Sequence, residues 1–145
     1  MGQLTDLHVR LATLLAEIQA AAGGTNAVRI YDSPPNQPPE TPCIFEITPD
    51  EDYETMDTVQ GRSIVTATLR LVIDPGRPQT DLLALADVVI ETADVWLRTQ
   101  HPSPLDQARR TTMRGVTPVY NEISYRGADF AVRCELEFRQ TTPAL

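Results

Sequence analysis

The 145-residue sequence contains no lysine; all twelve of its cations are arginines. That absence removes a Walker lysine, a Schiff-base lysine and a lysine general base from the chemistry open to the chain. It also reads as the imprint of a GC-rich genome, which favours arginine codons over lysine codons. Cysteine is scarce as well. Cys43 and Cys134 are too few for a disulfide framework, and reduced, buried thiols are expected. There are only two histidines, His8 and His101. No apolar run approaches the ~20 residues that a spanning helix needs, so no membrane partner is expected. The opening MGQLTDLHVRL has neither the charged start nor the apolar block of a signal peptide. Asp6 also stands where a myristoylation signal needs Ser or Thr.

What is present fits one globular domain spanning 1–145. A chain of this length buries ~68–70% of its unfolded surface, enough for a core without metal or disulfides. Apolar residues at 41% and charged residues at 22% set it apart from disordered chains. The net charge of −8 disfavours nonspecific attachment to nucleic-acid phosphates. That charge is unevenly placed. Residues 1–60 hold ten acids against Arg10 and Arg29, while residues 61–145 hold ten acids against ten arginines.

Hydrophobic spacing organises the chain. Leu4, Leu7, Leu11, Leu14, Leu15 and Ile18 recur at helical intervals, predicting an amphipathic helix over 3–22 that Gly23-Gly24 stops. Val28–Tyr31 is a short strand. Residues 33–42, SPPNQPPETP, are too proline-rich for a ladder and predict a stiff extended arm. Cys43–Thr48 is a strand, and residues 49–61 form a long acidic loop. Arg62–Ile73 is a long alternating strand, with Val65, Ala67, Leu69, Leu71 and Ile73 on one face and Arg62, Thr66, Thr68 and Arg70 on the other. A second helix starts at Thr80 or Asp81 and runs to about Gln100, where Pro102 and Pro104 forbid continuation. Its apolar set, from Leu82 to Leu97, covers about 160° of the helical wheel, more than one sheet contact requires. Residues 112–120 form a weak strand, Arg126-Gly127 marks a turn, and Asp129–Arg139 is the last strand. Its inward residues are Phe130, Val132, Cys134, Leu136 and Phe138. This order predicts an α+β domain: a mainly antiparallel sheet with two helices packed on one face.

A search for chemistry yields little. His8 flanks the stripe of the first helix and His101 follows the second, both read as surface or boundary residues. Cys134 belongs to the core by alternation, and Cys43 opens a strand. No Gly-x-Ser-x-Gly, Gly-x-Gly-x-x-Gly or Cys-x-x-Cys occurs in the sequence, so no catalytic, cofactor or metal residue is assigned and no enzyme is expected. An EF-hand register starting at Asp50 places acids at loop positions 1, 3 and 5. It then meets Thr55 where glycine is required and Gly61 where glutamate is required. The acidic segment (Asp50, Glu51, Asp52, Glu54, Asp57) therefore reads as a solvated anionic surface. Arg109, Arg110 and Arg114 form the one basic cluster, without the aromatic interleaving of nucleic-acid binders. Pairing with an acidic surface, within the chain or on a neighbour, suits their planar forks.

The stretches LTDLHVRLATLLAEI, PCIFEITPDEDYE, SIVTATLRLVIDPG, DLLALADVVIETADVWL and GADFAVRCELEFRQ, in this order, resemble the tail terminator proteins of long-tailed bacteriophages. The resemblance implies a homo-oligomer, a hexameric ring, that caps the finished tail tube and ends its polymerisation. It implies as partners the tail-tube protein, the head–tail connector or neck protein, and phage DNA crossing the lumen without specific binding. Localisation would be the virion, at the head-proximal end of the tail, after assembly in the host cytoplasm. Alternatives are a connector, neck or tail-tube subunit and, in another class, a small monomeric binding module or enzyme. In a ring, Val88, Val95 and Trp96 of the second helix, with Arg109, Arg110 and Arg114, would meet the next subunit. The proline arm could reach across to that neighbour, and the acidic segments would line the lumen.

Overall fold

In the computed structural model, the described residues are 3–47, 57–59, 62–100 and 111–137. Helix α1 spans Gln3–Ala22 and ends as the paired glycines demand. Gly23 and Gly24 have φ of 122° and 109°. The Gly24 N–H reaches back to the Gln19 carbonyl (2.9 Å) and the Gly23 N–H to that of Ala20 (3.2 Å), the two closing bonds of a Schellman cap. Strands β1 (Arg29–Tyr31), β2 (Cys43–Ile47), β3 (Asp57–Val59) and β4 (Arg62–Ile73) follow, then helix α2 (Gln79–Gln100). The chain ends in β5 (Thr112–Val116), β6 (Val119–Tyr120), β7 (Ile123–Ser124) and β8 (Arg126–Glu137).

The sheet runs β1-β2-β4-β8-β5, with β3 paired to the start of β4. All its pairings are antiparallel except β1 with β2. Its spine is β4 against β8, in continuous register from Arg62↔Glu137 to Ile73↔Arg126. Helices α1 and α2 cover one face. There Leu7, Leu11, Leu14 and Ile18 of α1 and Leu82, Val89, Ala93 and Leu97 of α2 close on Leu69, Leu71, Phe130 and Val132 in one cluster. Each such side chain contributes about 1.5–3 kcal/mol by leaving water. The α+β architecture anticipated from spacing is the one observed.

Three local expectations need correction. The proline segment does not project as an arm. It is a loop that returns to its own sheet, with β2 lying parallel to β1. The Arg29 N–H bonds the Pro42 carbonyl at 2.9 Å, the Glu40 N–H donates to Tyr31 Oη at 2.9 Å, and Arg29 pairs with Glu40 at 2.7 Å. The peptide bond Thr41–Pro42 is cis. Proline stiffness sets the shape of the loop, while parallel pairing of β1 and β2 sets its destination.

The second correction concerns Arg126-Gly127, which opens β8 rather than forming a turn. Glycine stands there because a Cβ would meet the Leu71 carbonyl at 2.8 Å and the Pro118 ring at 3.0 Å. The turn lies earlier, at Asn121 and Glu122 with φ of 50° and 65°, the paired positive values that suit a tight hairpin between β6 and β7. Third, the strand expected over 112–120 divides at Thr117-Pro118 into β5 and β6, because proline cannot donate to the ladder. Leu136 sits in β8 opposite Ser63, and Phe138 lies outside the described residues.

Candidate functional site

Two surfaces on opposite layers concentrate the polar chemistry of the described residues. The first is a groove of about 460 Å³ between the helices, lined by Thr13 and Glu17 of α1 and by Glu91, Val95, Trp96 and Thr99 of α2. Helical spacing explains the set, since Glu91, Val95 and Thr99 are successive turns of one flank. Val95 is 55% exposed while Trp96 beside it is 4% exposed. The indole Nε1–H of Trp96 is buried without an acceptor among the described residues, and an unsatisfied buried polar group costs about 1–3 kcal/mol. Val88, a heptad before Val95, is half-buried on the same side of the helix.

The second surface is a row across the opposite sheet face. Register aligns Phe45 with Arg70, Arg70 with Asp129, and Asp129 with Arg114. Arg70 grips Asp129 bidentately, Nε to Oδ1 at 2.7 Å and Nη2 to Oδ2 at 2.9 Å, in fork-to-carboxylate geometry. Hydrogen bonding to Asp129 raises the Arg70 pKa further above its usual value. Arg114 approaches the same Oδ2 only to 3.6 Å. At one end of this face Cys43, Phe45 and Val72 form a small cluster with Tyr31, Ile47 and Tyr125 packed against it. The Tyr125 and Tyr120 rings meet edge to face, 5.6 Å apart.

A third polar feature sits inside the helix layer. Glu46 is almost fully buried and accepts from His8 Nδ1 at 2.6 Å. Sequence reading missed it, although a signal existed. Alternation places Glu46 on the Ile44 face of CIFEI, and Ile44 is core. A carboxylate buried there needs a partner, which the flank of α1 supplies. Burial pushes the Cys43 and Cys134 thiols up to about 12, so neither is a nucleophile near neutrality.

The residues singled out from sequence do not form one patch. Val95 and Trp96 share the helix groove, Val88 is not among its lining residues, and Arg114 lies on the far side of the sheet. Arg109, Arg110 and His101 lie outside the described residues, as do Asp50, Glu51, Asp52 and Glu54. The loop expected over 49–61 is also corrected at one point: Asp57 opens strand β3, its backbone opposite Ile64, because the chain turns back there to pair with the start of β4. Among the described residues no group of three His, Cys, Asp or Glu side chains is placed to hold a metal ion, and no helix is long and apolar enough to cross a membrane. No protein-family model matches the chain, and no curated protein is significantly similar to it in sequence.

Proposed function

We propose that the chain is a structural subunit of a closed ring, in the manner of the phage tail terminators it resembles. Copies assemble on the end of a tail tube, stop its growth and join it to the head-proximal neck. The observation that carries this reading is the surface left incomplete within one chain. Val95 stands exposed beside a buried indole N–H that has no acceptor among the described residues. Val9 and Leu83 are exposed on the same helices. A neighbouring subunit laid on the helix layer would cover these side chains. Under this reading the acidic segments of successive copies face the lumen. Repeated charge focused over a Debye length of about 8 Å then keeps passing DNA from adhering to the wall.

The test is the mass of the purified chain by sedimentation, with electron microscopy of the chain alone and beside purified tail tubes. A six-fold ring on tube ends is the expected result. A twelve-fold ring moves the assignment to the connector side of the neck. Dispersed monomers in both preparations overturn the proposal and favour a monomeric binding module.

A further inference from the structure

Resting on that ring reading, we propose which surfaces close it: the β5 edge of one copy docks into the α1–α2 groove of a second copy of this chain. The groove offers acceptors. Glu17 and Glu91 line it with no ion pair or hydrogen bond among the described residues. The hydroxyls of Thr13 and Thr99 are turned onto their own helices, bonding the Arg10 and Val95 carbonyls at 2.6 and 2.9 Å. Beneath the groove floor the Nε1–H of Trp96 is buried with no acceptor among the described residues.

The β5 edge offers the complement. β5 pairs with β8 on one side and has no strand partner on the other among the described residues. Such an edge presents backbone carbonyls and N–H groups that a second chain can satisfy. Among the described residues, a Cβ on Gly115 would meet nothing within 4 Å, so the sheet face beside this edge is open as well. The Arg114 side chain is 79% exposed, and the oxygen it approaches at 3.6 Å already accepts from Arg70 at 2.9 Å. Most of its five N–H donors are therefore open. Across the contact the guanidinium meets the groove carboxylates.

The two surfaces differ and lie on different layers, so the contact is head-to-tail, the kind that builds rings. Edge-to-edge pairing of two β5 strands centred on Arg114 would instead set like charges together.

The full-length chain tests this with two variants, Glu17→Arg/Glu91→Arg and Arg114→Glu, measured by sedimentation and native mass spectrometry beside wild type. Circular dichroism and thermal melting confirm that these exposed changes leave the fold intact. Each variant alone sets like charges across the interface, and its self-association should weaken at least tenfold. Mixing the two variants in equal amounts opposes arginine to glutamate at every contact and should restore the wild-type mass. Wild-type assembly by either variant alone, or a mixture that stays dissociated, overturns the pairing while the ring reading stands. A wild-type chain that never self-associates, alone or on tubes, removes both.

Discussion

The two faces of the central sheet are closed by different means. Beneath the helices, β4 and β8 alternate large apolar side chains, and α1 and α2 seal Leu69, Leu71, Phe130 and Val132 completely. On the other face a small apolar cluster around Phe45 and Val72 gives way within one strand position to a charged row, Arg70–Asp129–Arg114. The first face gains its stability from area removed from water, which is non-directional and tolerant of detail. The second relies on bonds of fixed geometry, and truncating one partner there leaves an uncompensated charge. The helix face therefore holds the fold, while the charged face retains groups that can be turned outward to a partner.

The largest effect should come from the helix face. Phe130 is wholly buried at the centre of β8, so Phe130→Ala should cost about 3–5 kcal/mol. Against a total of about 5–15 kcal/mol, the fall in melting temperature should be large. A loss under 1 kcal/mol would mean that the helices do not clamp this face. Next comes Asp129, whose side chain is 7% exposed and doubly bonded to Arg70. Asp129→Ala should cost about 1.5–3 kcal/mol, the range for hydrogen bonds to charged groups. A double-mutant cycle with Arg70→Met should recover much of that loss as coupling. Zero coupling would show that the pair is incidental to the fold.

The cysteines compare the faces kinetically. Cys134 lies in the helix-covered cluster and Cys43 in the smaller opposite one. Both thiols, held protonated by burial, should react with an alkylating reagent at pH 8 only through local opening. Cys43 should be modified first, by about tenfold for each 1.4 kcal/mol of difference in opening free energy. Equal rates would mean that the faces open as one unit.

Much of the helix face was legible in the sequence. Leu7, Leu11, Leu14 and Ile18 announced α1, Gly23-Gly24 its end, and Phe130, Val132 and Cys134 the inner side of β8, because period and parity are local properties. The opposite face was not, because parity says which side a residue takes and not what covers it. Asp129 stood in the sequence only as the first residue of the last strand, and the long-range register with Arg70 is what gives it a partner. Gly127 looked like a turn residue because its reason, the closeness of Pro118 and the Leu71 carbonyl, comes from elsewhere in the chain. The parallel pairing of β1 with β2 was hidden likewise, since nothing within 33–42 states where the proline loop returns. Of the candidate surfaces, Trp96 stood out as part of an over-wide apolar band and Val88 and Val95 as apolar residues outside it. Their companions Thr13 and Glu17 belong to a helix far away in sequence and were found only by packing.

The smallest expected effect separates the two arginines of the row. Arg70 and Arg114 flank the same carboxylate in register, yet Arg70 holds both oxygens at short range and Arg114 reaches one at 3.6 Å from a side chain 79% exposed. An exposed ion pair of that length is worth about 0–1 kcal/mol and is screened by salt. Arg114→Ala should therefore leave the melting temperature within a degree or two of wild type, and added salt should not widen the gap. Arg70→Ala, in contrast, strips Asp129 of its bidentate partner and should be destabilising in the same assay. If Arg114→Ala proved as damaging as Arg70→Ala, the carboxylate would be held equally from both sides, and Arg114 would belong to the fold. If it is silent in stability, any loss of self-association in that variant comes from the surface it presents, because the subunit itself is unchanged.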